Sequence, residues 1–249
     1  MSPRRPGRFW PITAAAIVGI AAGLALGAWQ LSRAAQKNAL HAAISQRQSL
    51  PMLEGRALAA TAAGAANPAG ESLVWRPVRL KGEWVAGATV FLDNRQMKGK
   101  PGFDVLTPLR IDGADAAVVV QRGWVARNFV ERTRLPVVET SSGGVEVIGV
   151  IAPPPPKLYA FAGPETGAIR QNLDLAEFRD RTGLPLLTGL SVRQTGAASD
   201  GLLRDWTQPG SGVEKHYGYA FQWFALSALI AILYVWFQFI APRRKPPHA

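Results

Sequence analysis

The sequence predicts a membrane-anchored, mainly β protein, in which two transmembrane helices flank an extracytoplasmic antiparallel β barrel or sandwich with one short helix. Two long runs without charged residues lie toward the two ends of the 249-residue chain, and short strand-like segments fill the region between them. The chain has no cysteine. Disulfides, thiolate metal sites and covalent C-x-x-C-H haem attachment are therefore excluded.

The first predicted span is residues 9–32, "FWPITAAAIVGIAAGLALGAWQLS". It is uncharged and exceeds the roughly 20 apolar residues that cross a bilayer as a helix. A cleaved signal peptide is the alternative, because small residues stand at Ala25–Gly27. The run is longer than the roughly 7–15 apolar residues of a signal peptide, so we predict that the span is retained.

Glycines in this span repeat every fourth residue on one helical face, at Gly19, Gly23 and Gly27. A repeated G-x-x-x-G lets a second backbone approach closely, which is one way in which helices associate in lipid. The natural partner is the second span of the same chain. A second copy of the protein, in a homo-oligomer, is the alternative that the sequence leaves open.

The second predicted span is residues 216–241, which is uncharged after its first residue, His216. Six basic residues lie in the two tails, residues 1–8 and 242–249, and the rest of the chain has 22 basic and 17 acidic residues. The positive-inside rule therefore places both tails in the cytoplasm and the central domain in the periplasm. The net charge of +11 could suggest a nucleic acid partner, but the excess lies largely at the two ends of the chain. The distribution therefore predicts a lipid bilayer as partner, and no nucleic acid. The lack of a long Arg/Ser-rich leader favours a bacterial inner membrane.

Three segments are predicted between the spans. Residues 33–72 form a juxtamembrane helix and an Ala-rich linker, residues 73–207 the β domain, and residues 208–215 a second linker. The helix prediction depends on a stretch rich in helix formers that lacks Gly and Pro until Pro51. The following "ALAATAAGAANPAG" has no hydrophobic periodicity, so we expect an exposed and mobile loop.

Strands in the β domain are predicted from β-branched and alternating segments bounded by turn residues. They are "VWRPVRLKGEW", "ATVFLD", "FDVLTPLR", "AAVVVQRGWVA", "VEVIGVIA" and "LLTGLSVRQ". One helix interrupts them, because Asp174 and Glu177 have capping-box spacing and Gly183 is a stop signal.

Catalytic signatures are missing from the sequence. It contains no cysteine nucleophile, no G-x-S-x-G, no H-E-x-x-H and no phosphate-binding glycine loop. His41 and His216 are the only histidines outside the tails. We therefore predict that the protein is not an enzyme.

Two motifs of the β domain are candidate partner contacts. In "NRQMKGKPGFDVLTPL" the candidates are Arg95 and Gly99, and in "QRGWV" they are Arg122 and Trp124. The first motif is also typical of a solvated hairpin. In the second, an arginine stem can simply cover a tryptophan.

A third motif, "HYGYAFQWF", begins the second span. At helical spacing His216, Tyr219 and Trp223 share a face. A neutral imidazole in aromatic surroundings is a common axial ligand of haem iron. Arg33 and Lys37 lie just outside the first span and can pair with haem propionates. The alternative is that His, Tyr and Trp favour the membrane interface because each has an apolar body and a polar tip.

The motifs "GAWQLSRAAQK", "NRQMKGKPGFDVLTPL", "VVVQRGWV" and "HYGYAFQWF", taken in order, resemble the Surfeit locus protein 1 family. The resemblance implies an assembly factor for haem–copper oxidases, chiefly cytochrome c oxidase, which handles haem a for insertion into subunit I. The implied partners are subunit I and the haem a biosynthesis machinery. A scaffold that stabilises an assembly intermediate without binding haem is the alternative.

The resemblance also assigns residues. His216 matches the histidine through which bacterial members are reported to bind haem. Arg122, Gly123 and Trp124 match the family's R-G-W motif. Its W-Q-L-x-R motif matches Trp29, Gln30, Leu31 and Arg33. Lys215 stands where the family often has an asparagine.

Overall fold

The computed structural model describes residues 9–63, 72–128, 130–131, 135–158, 167–197, 200–206 and 212–241. It divides into two compact units. One is formed by Met1–Ala43 with Thr207–Ala249, and the other by Ile44–Trp206. The predicted tails, residues 1–8 and 242–249, lie outside the described residues, as do residues 208–211 of the second predicted linker.

The described part of the chain contains four α-helices and eight β-strands. The helices are α1 (Phe9–Gln48), α2 (Gly55–Ala63), α3 (Leu175–Thr182) and α4 (Val213–Val235), and a π-helical turn, Trp236–Ile240, continues α4. The strands are β1 (Leu53–Glu54), β2 (Pro77–Trp84), β3 (Val90–Met97), β4 (Lys100–Ile111), β5 (Ala117–Ala126), β6 (Gly144–Ala152), β7 (Ile169–Arg170) and β8 (Ser191–Gln194). A short 3-10 helix, Ala86–Ala88, lies between β2 and β3.

Two helices are long and apolar enough to cross a membrane: α1, and α4 with its π-helical turn. Each has an 18-residue window of mean hydropathy 2.0, and only 17% and 6% of the two windows are buried within the protein. Exposed apolar side chains of this kind are typical of lipid-facing helices and not of the core helix of a soluble domain. The predicted membrane-anchored fold class is confirmed.

The β domain is a closed barrel. Its strands pair in the circular order β2–β6–β8–β5–β4–β2. Strand β3 forms a hairpin with β4, and the two-residue strands β7 and β1 pair with β3 and β2. Closure removes the edges at which a sheet can pair with another chain. Most pairings are antiparallel, as predicted, but β5–β8 is parallel, since β8 follows a helical crossover.

Alternating residues of the five barrel strands form its interior. Val78, Leu109, Val118, Ile151 and Val192, one from each strand, belong to a single buried cluster. Helix α2 contributes Leu58 and Ala59 to the same cluster. The expectation of an exposed loop at "ALAATAAGAANPAG" is therefore wrong for its first half, because burial of Leu58 stabilises a helix there. The second half, residues 64–70, lies outside the described residues.

Helix α3 packs against the opposite face of β4 and β5 and against β3. Its Leu175 and Phe178 join a second buried cluster with residues of β3, β4 and β5. The predicted cap is confirmed: the carboxylate of Asp174 accepts hydrogen bonds from the backbone N–H groups of Ala176 and Glu177, and Gly183 ends the helix with a left-handed conformation.

Candidate functional site

The glycine face of α1 lies against α4. A Cβ atom added to Gly23 would be 2.1 Å from the Oγ atom of Ser227, and one added to Gly27 would be 2.5 Å from the ring of Phe224. Ser227 also donates a hydrogen bond to the carbonyl of Ile20, at 3.4 Å. The predicted close approach is therefore made to the second span of the same chain.

The same face of α1 continues beyond the glycines. After Gly27 come Gln30, Ala34 and Lys37, at alternating spacings of three and four residues, and Ala34 is fully buried. A spacing that averages 3.5 residues keeps one seam in contact with a neighbouring helix. The seam thus brings polar side chains of α1 to the first turns of α4.

His216 lies in the first turn of α4 and is half-buried. Its Nδ1 atom is 2.7 Å from the Oε1 atom of Gln30. An amide oxygen only accepts hydrogen bonds, so Nδ1 carries the proton in this arrangement. A neutral imidazole has one proton, and the lone pair is therefore on Nε2. No described residue hydrogen-bonds to Nε2, which leaves it the ring nitrogen that can bind a metal or accept a proton.

The aromatic residues that follow His216 are not equally exposed. Tyr219 is 53% exposed, whereas Trp223 is half-buried. Tyr217, which lies on another face, accepts a hydrogen bond from the amide of Asn38 at 3.2 Å. Tyr219 and Trp223 are one turn apart and leave an aromatic surface beside His216.

The two predicted cations of α1 lie in different positions. Lys37 is half-buried, and its Nζ atom would be 3.9 Å from a Cβ atom added to Gly212, which caps α4. Arg33 is exposed and donates a hydrogen bond to Gln36 at 2.8 Å. Lys37 therefore shares the seam with Gln30, and Arg33 projects beside it.

Arg122 is inside the β domain, where only 2% of its surface is exposed. It donates hydrogen bonds to the hydroxyl of Thr140, at 2.7 Å, and to the carbonyl of Glu139, at 2.6 Å, and it pairs with Asp200 at 3.1 Å. Its guanidinium lies over the ring of Trp84, 4.8 Å from the centroid. Burial lowers the pKa of Arg122, and the hydrogen bond to Asp200 opposes that shift.

The rest of the R-G-W motif is also packed internally. Trp124 is 3% exposed and donates its indole N–H to the carbonyl of Arg95, at 2.9 Å. A Cβ atom on Gly123 would be 2.7 Å from Leu202 and 2.8 Å from the carbonyl of Leu203, so only glycine permits that approach. The expectation that Arg122 stacks on Trp124 is wrong, since Arg122 stacks on Trp84. The side chains of Arg122 and Trp124 have no exposed face to offer a partner.

The motif that contains Arg95 and Gly99 is a tighter hairpin than predicted. Strand β3 continues to Met97 and β4 begins at Lys100, which leaves a two-residue turn of Lys98 and Gly99, both with positive φ. Gly99 is exposed at the tip. Arg95 belongs to the strand and is only 8% exposed, with hydrogen bonds to the carbonyls of Pro156 and Gln171.

A half-buried carboxyl group near Arg95, that of Asp104, was not among the predicted residues. Burial raises the pKa of Asp104 to about 6, and the charges of Arg95 and Arg193 oppose that shift. Asp104 faces Trp124 and Leu92 in the strand register. The available sequence signal was a charged residue inside a predicted strand, a position where Asp is uncommon.

Gln30 was matched only as part of the family's W-Q-L-x-R motif and was not among the predicted site residues. It is an uncharged polar residue within an apolar span, three residues after Gly27 on the glycine face. Polar groups within a membrane span usually face a partner helix, and that position was the available signal. Among the described residues, no group of three or more His, Asp or Glu side chains is arranged to hold a metal ion.

The closed barrel between two candidate spans defines a membrane-anchored protein with one folded β domain. The chain belongs to the SURF1 family, whose profile matches residues 17–228. That family is known in general as one of oxidase assembly factors. The resemblance seen in the sequence motifs is thereby confirmed.

Two relatives match most of the chain. The SURF1-like protein of Rickettsia felis is 24% identical over 233 residues, which cover 85% of this chain and 90% of that protein. The SURF1-like protein of Rickettsia bellii is 25% identical over 216 residues, which cover 84% of this chain and 83% of that protein. The family profile, which matches residues 17–228, includes the β domain and part of each candidate span.

Proposed function

We propose that this chain is an assembly factor for a haem–copper (cytochrome c) oxidase that binds haem a at the membrane interface and aids its insertion into subunit I. Membership of the SURF1 family supports the role in oxidase assembly. The haem part of the proposal depends on one observation, the hydrogen bond between His216 and Gln30. In this proposal haem a is a cargo that the protein takes up and releases.

The His216 imidazole is suited to ligate haem iron. Axial histidines bind iron through one ring nitrogen, and the other usually donates its N–H to a fixed acceptor. Gln30 is such an acceptor for Nδ1, so Nε2 is the ligand atom. A single histidine ligand, in a chain without cysteine for a covalent link, suits a cargo that must leave again.

The surroundings of His216 supply the other contacts that a haem needs. Tyr219 and Trp223 offer aromatic surface for the porphyrin, and half of the Tyr219 surface is open to a lipophilic ligand arriving from the bilayer. Lys37 on the seam and the exposed Arg33 can pair with the propionates. These residues form the proposed haem site.

The proposed topology follows from charge. With the basic tails in the cytoplasm of a bacterial cell, the first turns of α4 lie at the periplasmic side of the inner membrane. Haem a made in the membrane by the biosynthesis machinery would reach His216 laterally, and subunit I would receive it there.

The cellular test compares oxidase in cells that carry wild-type protein, His216→Ala, His41→Ala or no copy of the chain. His41 is the matched control, because it is the other histidine outside the tails and lies on α1. We expect His216→Ala to lower the haem a content of subunit I toward that of the deletion, while His41→Ala stays at the wild-type level. Full haem content in His216→Ala cells would contradict the haem part of the proposal.

A scaffold that does not bind haem is the second candidate, and two exposed apolar residues of the β domain favour it. Val130 and Val137, on the connection between β5 and β6, are 92% and 94% exposed. Exposed apolar side chains mark a contact with another protein when they form a contiguous patch. The hairpin tip at Gly99 is also exposed and is a further candidate contact with another protein.

Val137→Asp tests the scaffold directly, with Arg110→Glu, an exposed substitution on β4, as control. If the scaffold is the function, Val137→Asp lowers the amount of assembled oxidase and His216→Ala does not. If haem delivery is the function, the two variants have the opposite ranking.

A further inference from the structure

Gln30 and His216 are joined by the one described hydrogen bond of the imidazole, and close packing of the two helices brings these side chains together. Gly23 and Gly27 hold α1 against α4 so closely that a Cβ at either position would overlap side chains of α4. Gln30 is the next seam residue after Gly27. The spacing of the helix pair therefore sets the position of its amide relative to His216.

We infer that Gln30 is the positioning residue of the proposed haem site: it holds the neutral imidazole of His216 in the Nδ1–H form and so presents Nε2 to the ligand. Without an acceptor at Nδ1, the ring can carry its proton on either nitrogen, and only the form with a bare Nε2 can bind iron there. The part of this inference that concerns haem rests on the proposed function. The part that concerns the proton does not.

The neutral amide has a second consequence. A carboxylate acceptor makes an axial histidine a stronger ligand by drawing the N–H proton toward itself, whereas an amide does so only weakly. A moderate ligand suits a protein that must release haem. Gln30→Glu should therefore hold haem more firmly than the wild-type protein does.

A bond between two membrane helices can also be purely structural, so the test needs a matched control. The hydroxyl groups of Thr13 and Tyr234 are 2.8 Å apart and join the same two helices at the other end of the pair. Thr13→Val removes that bond with little change in shape. It shows what loss of an interhelical hydrogen bond does by itself.

The first measurement is nitrogen NMR of the haem-free protein in detergent, with histidine labelled with ¹⁵N, at about pH 8, where an ordinary imidazole is neutral. The chemical shift distinguishes a protonated ring nitrogen from a bare one. The His216 resonances are assigned with His216→Ala. We expect wild type and Thr13→Val to have His216 in the Nδ1–H form, and Gln30→Leu to have a mixture of both forms. An Nε2–H form in the wild type, or no change in Gln30→Leu, overturns the inference.

The second measurement is haem a retained after detergent purification. We expect Gln30→Leu to retain roughly tenfold less than the wild type, as for other losses of a hydrogen-bonding partner of a metal ligand. Thr13→Val should change retention less than twofold, and Gln30→Glu should equal or exceed the wild type. Equal losses in Gln30→Leu and Thr13→Val would overturn the positioning role in favour of helix packing.

The two measurements separate the inference from the proposed function. If the NMR spectra change as expected but His216→Ala retains as much haem as the wild type, Gln30 positions the imidazole and the haem assignment is wrong. If His216→Ala loses haem but Gln30→Leu has unchanged spectra, the haem assignment stands and the inference is wrong.

Discussion

Replacing Arg122 by methionine should strongly destabilise the β domain. The substitution removes three hydrogen bonds from the buried guanidinium, to Thr140, Glu139 and Asp200, and its stacking on Trp84. Loss of one partner of a buried ion pair typically destabilises a protein by about 3–5 kcal/mol. Asp200 keeps Arg204, which donates hydrogen bonds to both carboxylate oxygens at 2.8 and 3.0 Å. We therefore expect the lower part of the range, about 3 kcal/mol.

The assay is urea unfolding of the full chain in mild detergent, followed by tryptophan fluorescence. The free energy of unfolding falls by about 1–3 kcal/mol per M of urea, so a loss of about 3 kcal/mol of stability lowers the urea midpoint by roughly 1–3 M. The control is Arg110→Met, an exposed arginine on β4, which should stay within about 0.5 kcal/mol of the wild type. If both variants have the same midpoint, Arg122 is not structural, and a partner-binding role for the R-G-W motif becomes the better explanation.

Three further predictions concern other parts of the chain. Gly23→Val should separate α1 from α4, because Ser227 already occupies the space that a Cβ would need. Disulfide trapping between cysteines introduced across the two helices should then weaken, and unchanged trapping would refute the close approach of the helices. Asp174→Ala should lower the free energy of unfolding by about 1 kcal/mol through loss of the α3 cap, measured as a urea midpoint; no shift would refute the cap. Because its folded pKa, about 6, is raised by burial, Asp104 contributes stability below about pH 4 that is lost as the pH rises through about 6. Asp104→Asn should remove that loss of stability, which is on the order of 3 kcal/mol. If the free energy of unfolding falls equally with pH in the variant and in the wild type, the prediction is contradicted.

The spans, most strands and α3 could be predicted because their signals are local. An uncharged run of sufficient length, β-branched alternation, and an Asp174 cap with a Gly183 stop each depend on neighbouring residues alone. The predicted segments at Ala116–Ala126 and Val145–Ala152 accordingly coincide with β5 and β6 to within one residue.

Features that depend on distant residues could not be predicted in this way. The apolar side of α2 is visible only when Leu58 is placed in the barrel with Val118 and Val192. The parallel pairing of β5 with β8 joins residues about 70 positions apart, such as Gln121 and Arg193. Local patterns carry no information about such pairings.

The candidate site was predicted only in part for the same reason. His216 was identified from its position at the start of an apolar run, but its hydrogen-bond partner, Gln30, lies 186 residues away. The R-G-W motif was found as a motif, but the bulge that leaves Arg122 without a partner residue on β4 depends on the pairing of two strands and has no local signal.

The measurement that tests the account most directly is an absorption spectrum, oxidised and reduced, of the detergent-purified protein made in cells that synthesise haem a. His216→Ala and His41→Ala are purified alongside, and each is checked for helical content and size. We predict a Soret band in the wild type and in His41→Ala that is absent from His216→Ala. An undiminished Soret band in His216→Ala, or no haem in any of the three proteins, would contradict haem binding at His216.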